Sequence, residues 1–160
     1  MSSAPKVLVI FSHRPPHVIT WPKAGYDYEM KKREILEKLK KYCPKIIFDS
    51  VTACDVEESV RLLERAREYD GIVLYQLGFT CPTSLLFAEK CDKPMILVDE
   101  IFFGSGTFAL ALGWSKKMNL PVVGIASSKF EDVANKVRLI SVIKRLQGSR
   151  IILITRRDEE

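Results

Sequence analysis

The stretch that decides the fold is Lys6-Val7-Leu8-Val9-Ile10-Phe11-Ser12-His13-Arg14-Pro15-Pro16-His17. Its first half is a continuous apolar run, the signature of a strand covered on both faces. Its second half turns polar at once, and two prolines stiffen it. The same change from apolar strand to polar loop recurs downstream. Strands are expected over residues 6–11, 45–49, 72–76, 95–98 and 121–125, with a sixth over 150–155.

Amphipathic helices separate these strands. The first is expected over residues 24–42, with Ile35, Leu36, Leu39 and Tyr42 on one stripe and Pro44 stopping it. Asp55 caps the second, and Glu58 completes a capping box. Its sheet-facing residues are read as Val56, Val60, Leu63 and Ala66. Pro82 suits the first position of the third, which runs to about Lys90. The fourth follows Gly106 and reaches Met118. It is apolar nearly all round, which predicts burial on more than one side and a subunit or domain contact. Ser128, with Glu131, is expected to cap the fifth, whose stripe is Val133, Val137, Ile140 and Ile143.

Strands alternating with helices imply right-handed crossovers. The expected fold is therefore α/β: a doubly wound parallel sheet, Rossmann-like or flavodoxin-like, with helices on both faces. It should hold five to six strands in the order 2-1-3-4-5, with strand six at the edge. At 160 residues the chain fits a single domain, 1–160, read as the N-terminal domain of a longer protein because its last strand ends in charges rather than a helix.

Composition removes several function classes. The apolar runs are too short to span a bilayer, and the N-terminus is not a signal peptide, so the expected location is cytoplasmic, with no membrane partner. The net charge of +5 suggests nucleic acid at first sight. Much of it, however, lies between Lys31 and Lys45, interleaved with Glu34 and Glu37 in favourable i,i+4 pairs, as on a solvated helix face. No nucleic-acid partner is expected. Cys43, Cys54, Cys81 and Cys91 match no zinc spacing.

In open parallel sheets, ligands bind outside the carboxyl ends of the strands, where strand order reverses. The loops there carry the candidate site. His13, Arg14, His17 and Trp21 offer donors and a flat apolar face suited to sugar rings. Gln76 ends the third strand and Thr80 follows it. Ser105 and Gly106, at a helix start, offer a possible anion or hydroxyl contact. The competing reading is that Arg14 and the histidines only satisfy Asp99 or Glu100.

Other chemistries fail on residues. Pro15 and Pro16 remove backbone donors that a flavin phosphate loop needs. Ser12-His13 and Gln76 stand where a phosphoacceptor receiver needs acids. Gly104 to Ala109 fits G-x-G-x-x-A, but the following strand lacks the ribose-binding acid. His13, His17, Asp99 and Glu100 have metal-binding residue types without a spacing that converges them, so no metal is assigned. There is no nucleophile elbow. No catalytic residue is identified.

Residues 6–18, with Arg14-Pro15 just after the first strand, resemble the N-terminal domain of L-fucose isomerase. Residues 45–58, the segment from Asp70 to Pro82, and Lys93 to Leu97 look similar to the corresponding parts of L-arabinose isomerase. The resemblance implies an aldose–ketose isomerase with Mn2+ bound by later domains. This chain alone would bind no cofactor, would not be catalytically complete, and would serve as a substrate-covering and oligomerisation domain, with Arg14 touching sugar hydroxyls. The implied partners are a sugar or polyol and further copies in a homo-oligomer. The alternative is a stand-alone small-molecule or protein-binding Rossmann-like module without catalysis.

Overall fold

The computed structural model describes residues 3–15, 17–18, 23–78, 82–101, 103–150 and 152. Five strands and five helices alternate among them: β1 (Lys6–Ser12), α1 (Tyr28–Tyr42), β2 (Ile47–Ala53), α2 (Val56–Ala66), β3 (Gly71–Gln76), α3 (Thr83–Lys90), β4 (Met95–Asp99), α4 (Ser105–Lys117), β5 (Val122–Ala126) and α5 (Phe130–Gln147). All strand pairs are parallel, in the order β2-β1-β3-β4-β5. This is the expected doubly wound sheet. Of the expected sixth strand, Arg150 and Ile152 carry no strand, and residues 151 and 153–155 lie outside the described ones.

Strand alternation splits the core into two layers. Val7, Val9, Phe11, Val73, Tyr75, Ile96 and Val98 meet α1 and α5 through Ile35, Leu39, Val133, Val137 and Ile140. Leu8, Ile10, Ile72, Leu74, Met95 and Leu97 meet α2, α3 and α4 through Ala66, Phe87, Ala88 and Ala111. Every residue of β3 and β4 is buried, as their unbroken apolar runs require.

Several expected details change. β2 runs through Ala53, so most of the loop expected after Asp49 is strand. As an edge strand it has β1 on one side only, which lets Asp49, Ser50 and Thr52 sit in it. Helix α1 starts at Tyr28, because Asp27 accepts from the Met30 amide at 2.9 Å. The capping box of α2 is as expected: Asp55 accepts from Glu58 N at 2.8 Å, and Glu58 Oε2 accepts from Cys54 N at 2.7 Å. The buried face of α2 is rotated, however. Val56 and Val60 are exposed, and Ser59 turns inward to the Thr83 hydroxyl at 2.8 Å. At α5 the cap is not Ser128. Lys129 occupies that position without a side-chain cap, while Ser127 accepts from Lys129 N and donates to Asp132. On α4, Leu110 and Trp114 are exposed in the single chain, as is Met118 just after it, which leaves the expected subunit or domain contact untested. No helix among the described residues is long and apolar enough to cross a membrane.

Candidate functional site at the carboxyl edge of the sheet

The register aligns the strand ends. Ser12 pairs with Ala53 on one side and Gln76 on the other, and Gln76 pairs with Asp99. By alternation, Ser12, Gln76 and Asp99 face the layer under α2, α3 and α4, directly after Ile10, Leu74 and Leu97. They form a lateral polar row capping an apolar layer. All are buried, with Ser12 and Gln76 at 0% and Asp99 at 6% exposure. Ser84, in the first turn of α3, is buried as well and shares a helix face with Phe87 and Ala88.

Each of these four side chains leaves one polar atom with no hydrogen-bond partner: Ser12 Oγ, Gln76 Oε1, Asp99 Oδ1 and Ser84 Oγ. Buried polar atoms are normally paired. Gln76 spends its amide donor on the Gly78 carbonyl at 2.6 Å, which leaves its oxygen as a pure acceptor. The Ser105 hydroxyl donates to the Asp99 carboxyl, and burial raises the Asp99 pKa above 3.8 despite that bond; Glu100 adds to the rise.

Two close backbone approaches hold the edge together. A Cβ at Gly104 would run into Gln76 Cγ and sit 2.7 Å from the Gly78 carbonyl oxygen. A Cβ at Gly78 would sit 3.1 Å from His13 Cα. The loops leaving β1, β3 and β4 therefore touch.

His13 lies on the opposite face of the sheet from the polar row. Its ring stacks on Tyr28, with centroids 4.0 Å apart and planes 3° from parallel. Its Nδ1 pairs with the Arg14 carbonyl at 2.7 Å. A carbonyl only accepts, so Nδ1 carries the proton and Nε2 is a lone-pair acceptor, buried and without a partner. Burial pushes its pKa below 6.5, outweighing the opposing pull of the Arg14 carbonyl.

The other expected residues divide. Arg14 is half-buried, and His17 is exposed. Glu100, one of their supposed satisfying partners, instead pairs with Lys31 at 2.6 Å. Ser105 and Gly106 are exposed at the start of α4. Trp21 and Thr80 lie outside the described residues. No cluster of three metal-ligating side chains occurs among the described residues. The sequence reading passed over Ser12, Ser84 and Tyr75 as site residues and weighed Asp99 only as a partner for others or as a metal ligand. The available signal was that the apolar runs of β1, β3 and β4 each end in a polar residue while still inside the strand.

The fold is flavodoxin-like α/β. The lysine decarboxylase LdcF of Francisella novicida aligns with a TM-score of 0.51 at 15% identity, over 88% of this chain but 17% of the decarboxylase. Azoreductase from Bacillus anthracis str. Sterne (15% identity) and azoreductase AzrA (13%) each align with a TM-score of 0.39, over 90% and 89% of this chain and 96% of theirs. At 15% identity the likeness to the decarboxylase is one of fold. No protein-family model and no curated protein matches the chain. These findings overturn the expected membership in the fucose/arabinose isomerase family; isomerase activity, carbohydrate metabolism and manganese lose their basis with it. Only Arg14-Pro15 was residue-specific in that resemblance. The remaining similarity was the strand and helix pattern that any doubly wound sheet shares.

Proposed function

We propose that this chain is a small-molecule-binding α/β module whose site is the carboxyl edge of β1, β3 and β4. The observation that carries this is the polar row of Ser12, Gln76 and Asp99 beside the switch point between β1 and β3, with Ser84 in the first turn of α3: each is buried and has an unpartnered polar atom. Each orphaned group costs about 1–3 kcal/mol. Together they approach the whole stability of a typical domain, about 5–15 kcal/mol. A ligand that satisfies them recovers much of that cost.

The chemistry selects the ligand class. Gln76 Oε1 accepts only, ionised Asp99 Oδ1 accepts, and the Ser12 and Ser84 hydroxyls do either. The complement is a molecule rich in hydroxyl donors: a sugar or polyol. Arg14 and His17 supply rim contacts in this reading. It assigns binding alone.

Calorimetric titration with D-ribose and myo-inositol tests the proposal. Saturable binding of either, weakened at least about tenfold by Gln76→Leu or Asp99→Leu, is expected. Absence of binding to both, or binding that ignores both substitutions, overturns it.

A further inference from the structure

On the other face of the sheet, between α1, the ends of β3 and β4, and the start of α5, lies a cavity of about 110 Å³. Ile35, Val98, Phe130 and Val133 give it apolar walls. Tyr75 also lines it. This residue is 1% exposed, and its hydroxyl has no hydrogen-bond partner. Burial drives its pKa far up, so it is a neutral phenol at every ordinary pH.

The charges at the rim are already committed to one another. Lys31 pairs with Glu100 at 2.6 Å and with Glu34 at 3.6 Å, and Lys38 pairs with Glu34 at 2.5 Å. An incoming anion would meet Glu34, Asp99 and Glu100; an incoming cation would compete with Lys31 and Lys38 for Glu34 and Glu100. What remains unmatched is the Tyr75 hydroxyl, with Asp99 Oδ1 at the border, between apolar walls and the polar side made by Ser127 and Ser128. Engineered apolar cavities of ~150 Å³ hold benzene, so this one suits a slightly smaller group.

We infer that the Tyr75 cavity is a binding site for a compact uncharged group with one hydrogen-bonding function, an amide or a carbonyl, held by the phenolic hydroxyl. The group is either a free small molecule or the end of a larger ligand, and the chemistry is the same for both. The cavity borders the polar row at Asp99, which belongs to both, but the Tyr75 hydroxyl on which the inference rests is not part of that row.

Three isosteres of different charge form the test: acetamide, acetate and acetamidinium, each titrated into the full chain and followed by amide NMR. Acetamide is expected to shift the amides of Val98, Phe130 and Val133 saturably, with an affinity in the millimolar range or weaker, as its few atoms allow. Acetate and acetamidinium should bind at least about tenfold more weakly. Tyr75→Phe keeps the ring and should weaken acetamide at least about fivefold. Val133→Phe fills the chamber and should abolish the shifts while leaving the rest of the spectrum dispersed. Preference for either ion, equal acetamide binding by Tyr75→Phe, or no saturable shift at those amides in wild type overturns the inference. Shifts seen with acetamide but suppressed by D-ribose would identify the group as part of a larger shared ligand; unsuppressed shifts would identify a separate small molecule.

Discussion

Gln76 and Asp99 are register partners on adjacent buried strands, and each holds one oxygen out of the hydrogen-bond network. Two such atoms side by side at a strand end cost stability, since apolar residues of similar shape there would be nearly neutral or better. Their cost beside Ser12 is what a bound ligand, as proposed above, would offset.

Ser12→Ala isolates that cost. The hydroxyl oxygen has no partner, so its removal orphans nothing. Unfolding by urea should show the variant more stable by about 1 kcal/mol, with a melting rise of about 2–4 °C for a chain of this size. A loss of stability would mean that the hydroxyl is satisfied in solution.

Asp99 makes stability depend on pH in an unusual direction. Its folded pKa lies above 3.8, so the folded state holds the proton more tightly than the unfolded state does. Its contribution is most favourable below 3.8 and declines as pH rises through the folded value. Asp99→Asn removes this decline. The stability of the variant relative to wild type should rise from about pH 4 to about pH 7, measured by denaturant titrations across that range. A flat difference would count against the burial of an ionisable carboxyl.

His13 acts with the opposite sign. Its folded pKa is below 6.5, so the unfolded chain takes up the proton first. The stability it contributes is complete above 6.5 and falls away as pH drops toward and past the folded value. His13→Phe preserves stacking on Tyr28 and removes the titration. The variant should lose less stability than wild type on acidification below about pH 6.5. Proton NMR of the His13 ring gives the folded pKa directly.

Two glycines should respond oppositely to alanine. At Gly104 the new methyl collides with Gln76 and the Gly78 carbonyl, and the cost should be about 1–3 kcal/mol, with the site disturbed as well. At Gly113, inside α4, nothing lies within 4 Å of the added carbon, so alanine should stabilise by up to about 1 kcal/mol. Thermal melts of the two variants, side by side, check both signs.

Where the strands lie could be read from the chain because each core strand is an apolar run bounded by punctuation: Gly71 at the start of β3, Pro94 before β4, Pro121 before β5; their order in the sheet was an expectation drawn from the fold class. The capping box of Asp55 and Glu58 is a local device and was equally legible. What periodicity could not supply was rotation. Val56 and Val60 look like core residues until Ser59 finds Thr83, a partner in a different helix. The polar row escaped for a similar reason. Ser12, Gln76 and Asp99 are far apart in sequence, and only pairing across β1, β3 and β4 sets them side by side. The loop after β1 drew attention by composition, yet of its candidates only His13 is buried among the described residues.

The placement of β1 between β2 and β3 has a consequence for how the chain is made. On the ribosome, the first strand can join β2 early, but its other side stays open until Gly71 to Gln76 have left the exit tunnel. Throughout that interval an apolar strand with an unsatisfied edge is exposed to other nascent chains. Synthesis that stalls after α2 should therefore leave a product prone to aggregation, whereas a stall after β3 closes the vulnerable side.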